Sequence, residues 1–202
     1  VSDQSATRRE RQVEQTRTEI LQASRQLFAE RGYARTSVRD VATAAGVSPQ
    51  TVYDSIGSKR ALVVRLNDLI DEEAGIGALA ARVAAATDPA EVVAIPARIT
   101  RAILASSGDI VRAVAGGAVT EPELAAVLDE GLKRHHSGAR RVATRLHRLG
   151  SLRPGLTSKE ATQALSALTD PSYALLLLDT HGWSLGRIES WMIDASRRLL
   201  LG

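Results

Sequence analysis

The sequence predicts an all-α protein of about nine helices, with an N-terminal three-helix unit followed by a larger helical domain. Apolar residues recur at three and four spacing along almost the whole chain, strictly alternating stretches are missing, and no Asn-Gly or Asp-Gly pair marks a hairpin. Strong helix formers dominate, Ala above all. The aromatic fraction is 3% with a single Phe, so the core is expected to be aliphatic.

Each element has its own signal. Ile20, Ser24, Leu27, Phe28 and Arg31 share one helical face, and Gly32 stands where a left-handed cap residue belongs, which places the first helix from roughly Glu14 to Arg31. Ser37 with Asp40 is a capping-box pattern that opens a short helix with Val38, Val41, Ala42 and Ala45 inward, ended by Gly46. Ser48 as N-cap and Pro49 in the first helical position open a second short helix to about Ile56. Gly57 stops it, and Ser58 caps a long helix carrying Leu62, Leu66, Leu69 and Ile70. Asp88 and Pro89 start a helix with Val92, Ile95, Ile99 and Ile103 inward, where Pro96 is expected to kink the chain unless the helix begins later.

Asp109 to Val119 reads as a shorter helix ending near Gly116 and Gly117. From Glu121 the clearest stripe of the chain runs Leu124, Leu128, Leu132, His135, Ala139, Val142, Leu146, Leu149, and Gly150 ends it. Thr157 and Glu160 form another capping box for a helix through Leu165 and Leu168, which Pro171 interrupts before Ala174 to Asp179. Ser184 caps a last helix with Ile188, Trp191, Met192, Ala195 and Leu199 on its apolar face. Ala78 to Ala86 is only locally alanine-rich.

Composition narrows the function classes. With 202 residues, 44% hydrophobic and 24% charged, the chain reads as folded and globular. Cysteine is absent, which excludes disulfides, thiolate zinc sites and cysteine nucleophiles and fits a cytoplasmic location. No apolar run approaches the roughly 18 residues of a membrane span, and the polar start carries no secretory apolar core. The net charge of +3 is unevenly placed: ten Lys+Arg face seven Asp+Glu up to Arg60, whereas the remainder has sixteen of each. A basic N-terminal piece beside a neutral remainder points to an anionic partner, nucleic acid before membrane. Neither a glycine-rich phosphate loop nor a histidine-pair zinc motif is present, so no cofactor, metal or catalytic residue is assigned.

Two short helices joined by a glycine turn, the second opened by Ser-Pro, form a helix-turn-helix arrangement whose second helix can enter the DNA major groove. Thr36 and Ser37, Ser48, and Ser58 with Lys59 all stand at helix starts, where free backbone N–H groups plus a hydroxyl or ammonium favour phosphate. Taken singly, each Ser or Thr can equally serve only as a cap.

The stretch ILQASRQLFAERGYARTSVRDVATAAGVSPQTVYDSIGSKRAL, Ile20 to Leu62, resembles the DNA-binding domain of the TetR family of bacterial transcriptional regulators. Phe28, Gly32, Tyr33, Thr36, Ser37, Val38, Ala42, Gly46, Val47, Ser48, Thr51, Tyr53, Lys59 and Leu62 fall in the family's pattern. The last stretch is similar to the C-terminal helices of some members, with Gly182, Trp183 and Trp191 as marks. The family commonly has an aromatic where Ile56 stands and an acidic residue where Arg60 stands, so packing behind the recognition helix and charge at the start of the long helix differ here.

The resemblance implies phosphate contacts from Thr36, Ser37, Tyr53 and Lys59 and base contacts from Gln50, Thr51 and Ser48. Gln can bond adenine bidentately, a Thr methyl can touch a thymine methyl, and a point-charge Lys suits phosphate. Arg39 can serve either purpose and is counted with the base contacts. Residues 1–15 are expected as a flexible basic arm, in which Arg8, Arg9 and Arg11 either enter the minor groove or stay solvated. Residues 16–60 then form the DNA-binding domain and 61–202 the effector-binding and dimerisation domain.

In the larger domain, Ile103, Val111, Leu128, Leu132, His135 and Leu175 are the candidate pocket. His135 either touches a ligand or is a buried polar group satisfied by a neighbour. Arg98, Arg101 and Arg112 pair with an acidic ligand or are solvated. No aromatic lies between Ala61 and Ser172, so a small apolar effector is preferred. The homodimer interface is expected at Leu165, Leu168, Leu175, Ile188, Trp191, Ala195 and Leu199, a four-helix contact by resemblance. The function expected is a ligand-responsive repressor that binds a palindromic operator as a dimer and is released by its effector. An effector-free or protein-regulated DNA-binding protein stays as the alternative, and an enzyme as a remote one.

Overall fold

The computed structural model describes residues 2–202, with side chains from residue 8 onward; the first residue of the expected arm lies outside them. The chain divides into two compact units, one running up to Asp68 and including Ala113–Val127, the other made of Leu69–Arg112 and Leu128–Gly202.

In the first unit, α1 spans Ser2–Arg31, far longer than the expected start near Glu14. Nothing between Ser2 and Arg31 is Gly or Pro, so good helix formers propagate the helix unaided. The described side chains ahead of Ile20 supply no buried face, so these turns carry no periodic signal. Arg8, Arg9 and Arg11 are exposed and the first fully buried side chain is Ile20. Gly32 follows with φ +80°, and its N–H bonds Phe28 O at 3.0 Å.

Helix α2 (Val38–Ala44) opens with the reciprocal Ser37–Asp40 capping box, and α3 (Pro49–Ser55) opens with Ser48 as N-cap and Pro49 in the first turn. Gly46, at φ +67°, makes the turn between them, and Val47 N–H returns to Ala42 O at 2.9 Å. These helices are pinned by few side chains. Val41 and Ala42 are the buried residues of α2, and Val52 is the one of α3. Leu62, Val63 and Leu66 are buried on the first part of α4 (Lys59–Glu73).

The second unit adds α5 (Ile76–Ala85), the alanine-rich stretch whose composition alone marked no element. Helix α6 (Pro89–Gly117) runs through Pro96; its non-helical residue is Ser107, with φ −137° and ψ 24°. The expected kink therefore falls between the two predicted helices and not at the proline. Ser107 is fully buried and its hydroxyl donates to Glu73 at 2.7 Å, which gives the broken backbone turn a fixed partner. Helix α7 (Pro122–Arg148) and α8 (Ser158–Leu168), the latter boxed by Thr157 and Glu160, follow as read from sequence. Helix α9 (Pro171–Leu175) continues into a π-turn over Leu176–Thr180, and α10 covers Leu185–Leu200 behind N-cap Ser184. Among the described residues the only β pairing is a single bridge between Leu152 and Leu201.

Two aliphatic clusters fill this unit. One joins Val92, Val93 and Ile95 to Ala139, Val142, Leu146, Leu165 and Leu200; the other joins Ala97 and Leu104 to Leu175, Ile188 and Met192. Several expected interface positions are thereby spent on the protein's own core. Leu165 is 0% and Ile188 1% exposed, so neither reaches a partner chain, and Leu175 is buried as well. Of the expected interface side chains Trp191 and Leu199 are exposed, and Tyr173 and Leu176, which were not expected there, are exposed as well. Helices α8 and α10 each have an apolar face toward the core and apolar positions off it, and periodicity alone merges the two.

Candidate DNA interface

Helix α3 has one inward anchor, Val52, and the surface opposite it is polar. Ser48, Pro49, Gln50, Tyr53 and Asp54 are exposed, Thr51 is half-buried, and Arg39 is exposed on α2. The Ser48 hydroxyl accepts the Thr51 N–H at 3.0 Å and lies 2.9 Å from the Thr51 hydroxyl. Gln50 Nε2 donates to Asp54 Oδ1 at 2.8 Å. Asp54 was missed in the sequence reading, although its place four residues after Gln50 is the helical spacing for such a bond. It steers the Gln50 amide so that the carbonyl oxygen stays free.

The expected phosphate residues separate into two groups. Ser37 and Tyr53 are exposed, Tyr53 by 52%. Thr36 is only 2% exposed, its hydroxyl bonds Gly32 O at 3.0 Å and Leu27 O at 3.3 Å, and its N–H bonds Tyr33 O at 3.1 Å. Both donors of Thr36 are occupied inside the fold, which leaves neither for a phosphate. A helix-start position alone did not reveal that this side chain points back at the end of α1.

Lys59 stands at the first turn of α4 with its Nζ 4.0 Å from the centroid of the Tyr33 ring, a cation–π contact. Tyr33 is buried, tilts against Phe28 at 5.4 Å, and donates its O–H to Glu123 in the first turn of α7. Burial and then the bond to Glu123 raise the Tyr33 phenol well above its ordinary pKa. Partial burial lowers the Lys59 ammonium, while Glu121 and Glu123 pull it back up. Sequence reasoning found Lys59 but neither of its supports, because Tyr33, Lys59 and Glu123 are far apart along the chain.

The pocket candidates scatter. Val111 and Leu175 share a cluster, Ile103 is buried, Leu128 is half-buried, and Leu132 is 40% exposed. Leu132 fails as a wall for a geometric reason: at 3.6 residues per turn, each step of four advances about 40° beyond a full turn, so Leu124, Leu128 and Leu132 spiral off the core face. His135 is half-buried, and its Nε2 lies 3.0 Å from Ser166 O. Arg101 Nε reaches Glu189 at 3.3 Å and Arg98 Nε at 4.0 Å, while Arg112 grips Asp179 through two bonds of 2.6 and 2.7 Å. These arginines have carboxylate partners within the protein.

Residues 20–66 match the sequence model of the bacterial regulatory proteins, tetR family. The N-terminal segment that holds α2, α3 and the first turns of α4 is similar to that family. The solved structure of NalD, the secondary repressor of the MexAB-OprM multidrug efflux pump in Pseudomonas aeruginosa, is similar at 22% identity and TM-score 0.74, covering 93% of this chain and 96% of that one. FadR, a fatty acid degradation regulator of Bacillus halodurans, is similar at 21% identity and TM-score 0.70 over 89% and 93% of the two chains. SmeT in its complex with triclosan gives 20% identity and TM-score 0.71 over 93% and 92%. No curated protein matches the sequence. The similar structures share the fold over most of the chain, and the family match falls on the helix-turn-helix stretch. Among the described residues no helix is long and apolar enough to cross a membrane, and no three His, Cys, Asp or Glu side chains are grouped to hold a metal.

Proposed function

We propose that this protein is a TetR-family regulator, a cytoplasmic repressor that binds a palindromic operator as a homodimer and is released by a small apolar effector. The observation that carries the reading is α3 itself, anchored by one buried side chain and otherwise presenting Gln50, Tyr53 and the Ser48–Thr51 pair outward. In this reading Ser48, Gln50, Thr51 and Arg39 meet base edges and Ser37, Tyr53 and Lys59 meet phosphates. Residues 16–60 form the reading domain and 61–202 the sensing and dimerising one. The exposed apolar side chains Tyr173, Leu176, Trp191 and Leu199, with Leu168 and Ala195 beside them in sequence, are the proposed subunit contact. A dimer sets two recognition helices about 34 to 36 Å apart, one turn of duplex.

The aliphatic clusters support the effector class, as do a triclosan-bound SmeT and a fatty acid degradation regulator among the similar structures. Effector occupancy tilts α4 and changes the separation of the reading heads, with a coupling of about 1 to 3 kcal/mol, or roughly 5- to 150-fold in affinity. The test is selection of binding sites from a random duplex pool at two salt concentrations, followed by titration of triclosan and medium-chain fatty acids into the recovered complex. A palindrome released by an apolar compound is the expected result. Sequence-blind, salt-sensitive binding overturns the operator reading, and a palindrome that no apolar compound weakens overturns the effector reading.

A further inference from the structure

We infer that Glu123, acting through Tyr33, is a positioning residue for the Lys59 phosphate grip, so that the first turn of α7 sets the strength of DNA binding. The inference rests on the reading of Lys59 as a phosphate contact.

A lysine at an exposed helix start has a flexible four-carbon stem and spreads its ammonium over many positions, so a phosphate that engages it must first order it. Here the ammonium has a seat 4.0 Å above the Tyr33 ring. That seat is rigid because the ring is buried, tilted against Phe28, and tied at its far end by the O–H bond to Glu123. Among the described residues Glu123 is the phenol's one hydrogen-bond partner, so it alone closes the chain of contacts. Glu123 brings no stabilising charge to DNA. Its carboxylate is exposed and, by Coulomb's law alone, repels phosphate. Its positioning role and its bare charge therefore push affinity in opposite directions, and the sign of a substitution decides between them.

The placement also connects the grip to the sensing helices along the backbone. Ala113–Val127 belongs to the same compact unit as α1–α3, yet it is the end of α6 and the start of α7. Earlier in α6 and later in α7, Val92, Ile95, Ala139, Val142 and Leu146 pack in the core of the other unit. Glu123 thus stands on a helix whose later turns belong to the core of the other unit.

The experiment compares the full-length protein with Glu123→Ala, Glu123→Gln, Tyr33→Phe, Lys59→Ala and the Lys59→Ala/Glu123→Ala double variant on a random-sequence duplex across a salt series, with thermal melts to verify folding. Glu123→Ala is expected to weaken binding about three- to tenfold and to flatten the salt slope by up to about 0.9, the share of one phosphate. Glu123→Gln keeps an acceptor for the phenol and is expected to restore most of the affinity. Tyr33→Phe is expected to reproduce Glu123→Ala and carries the test if that variant fails to fold. In the Lys59→Ala background Glu123→Ala is expected to add nothing. Tighter or unchanged binding by Glu123→Ala, or losses that multiply in the double variant, overturn the inference. Unchanged affinity and slope in Lys59→Ala alone overturn the phosphate reading itself, and the inference with it.

Discussion

Replacing Thr36 by valine removes a hydroxyl and keeps the side-chain shape, which separates two roles that the sequence left together. The hydroxyl has one proton, shared between Gly32 O at 3.0 Å and Leu27 O at 3.3 Å, so the substitution deletes the equivalent of one buried hydrogen bond. Such a bond contributes about 1 kcal/mol net, and a buried acceptor stripped of its partner costs about 1 to 3 kcal/mol, which puts the total near 2 to 4 kcal/mol. For a chain of this size that corresponds to a fall in Tm of about 4 to 16 °C. The loss is local to the junction of α1 and α2, and the outward face of α3 is untouched. Thermal unfolding followed by helical circular dichroism, paired with operator affinity at a temperature where both proteins are folded, is the assay. Lower Tm with unchanged affinity and salt slope is expected. A variant that melts with the parent but binds DNA more weakly, with a flatter salt dependence, would refute the burial argument and return Thr36 to the phosphate contacts.

Gln50→Ala should lose about 1 to 3 kcal/mol on the operator and nothing on random duplex, whereas Lys59→Ala should weaken both; equal losses for both variants on both duplexes would count against the assignment. The paired substitution Trp191→Glu and Leu199→Glu is expected to turn a sedimenting dimer into a folded monomer, because both side chains are more than 40% exposed. Leu165→Ala, by contrast, empties space in a fully buried site and should cost about 2 to 5 kcal/mol of stability. Acid should loosen two helix starts. Hydrogen bonds from Ser37 hold Asp40 below its ordinary 3.8, and those from Thr157 hold Glu160 below its ordinary 4.5. Because the folded values are depressed, the stability they add is complete above those ordinary values and disappears as pH falls through the folded ones. Asp40→Asn and Glu160→Gln should flatten the decline in Tm below pH 4.5, and an unchanged decline would show that other carboxylates govern it.

Local rules made much of this protein legible. Ser37 with Asp40, Ser48 with Pro49, Thr157 with Glu160 and Ser184 each announce a helix start within a few residues, since capping is satisfied by neighbours in the chain. The all-α class, the helix-turn-helix and the polar outward face of α3 followed from such short-range signals. Where a helix buries little, the signal fades, which is why the polar early turns of α1 and the alanine-rich α5 escaped it.

Tertiary structure decided what each apolar or polar face looks at. Periodicity says that Leu165, Ile188, Trp191 and Leu199 are apolar, but only packing turns the first two into the core and leaves the last two outside. The same holds for Thr36, a helix-start hydroxyl like Ser37 until its turn is folded against α1. The support of Lys59 by Tyr33 and Glu123 is a meeting of three distant segments. No spacing rule encodes it, because contacts between segments far apart in the chain depend on how whole helices pack and not on the residues beside each partner.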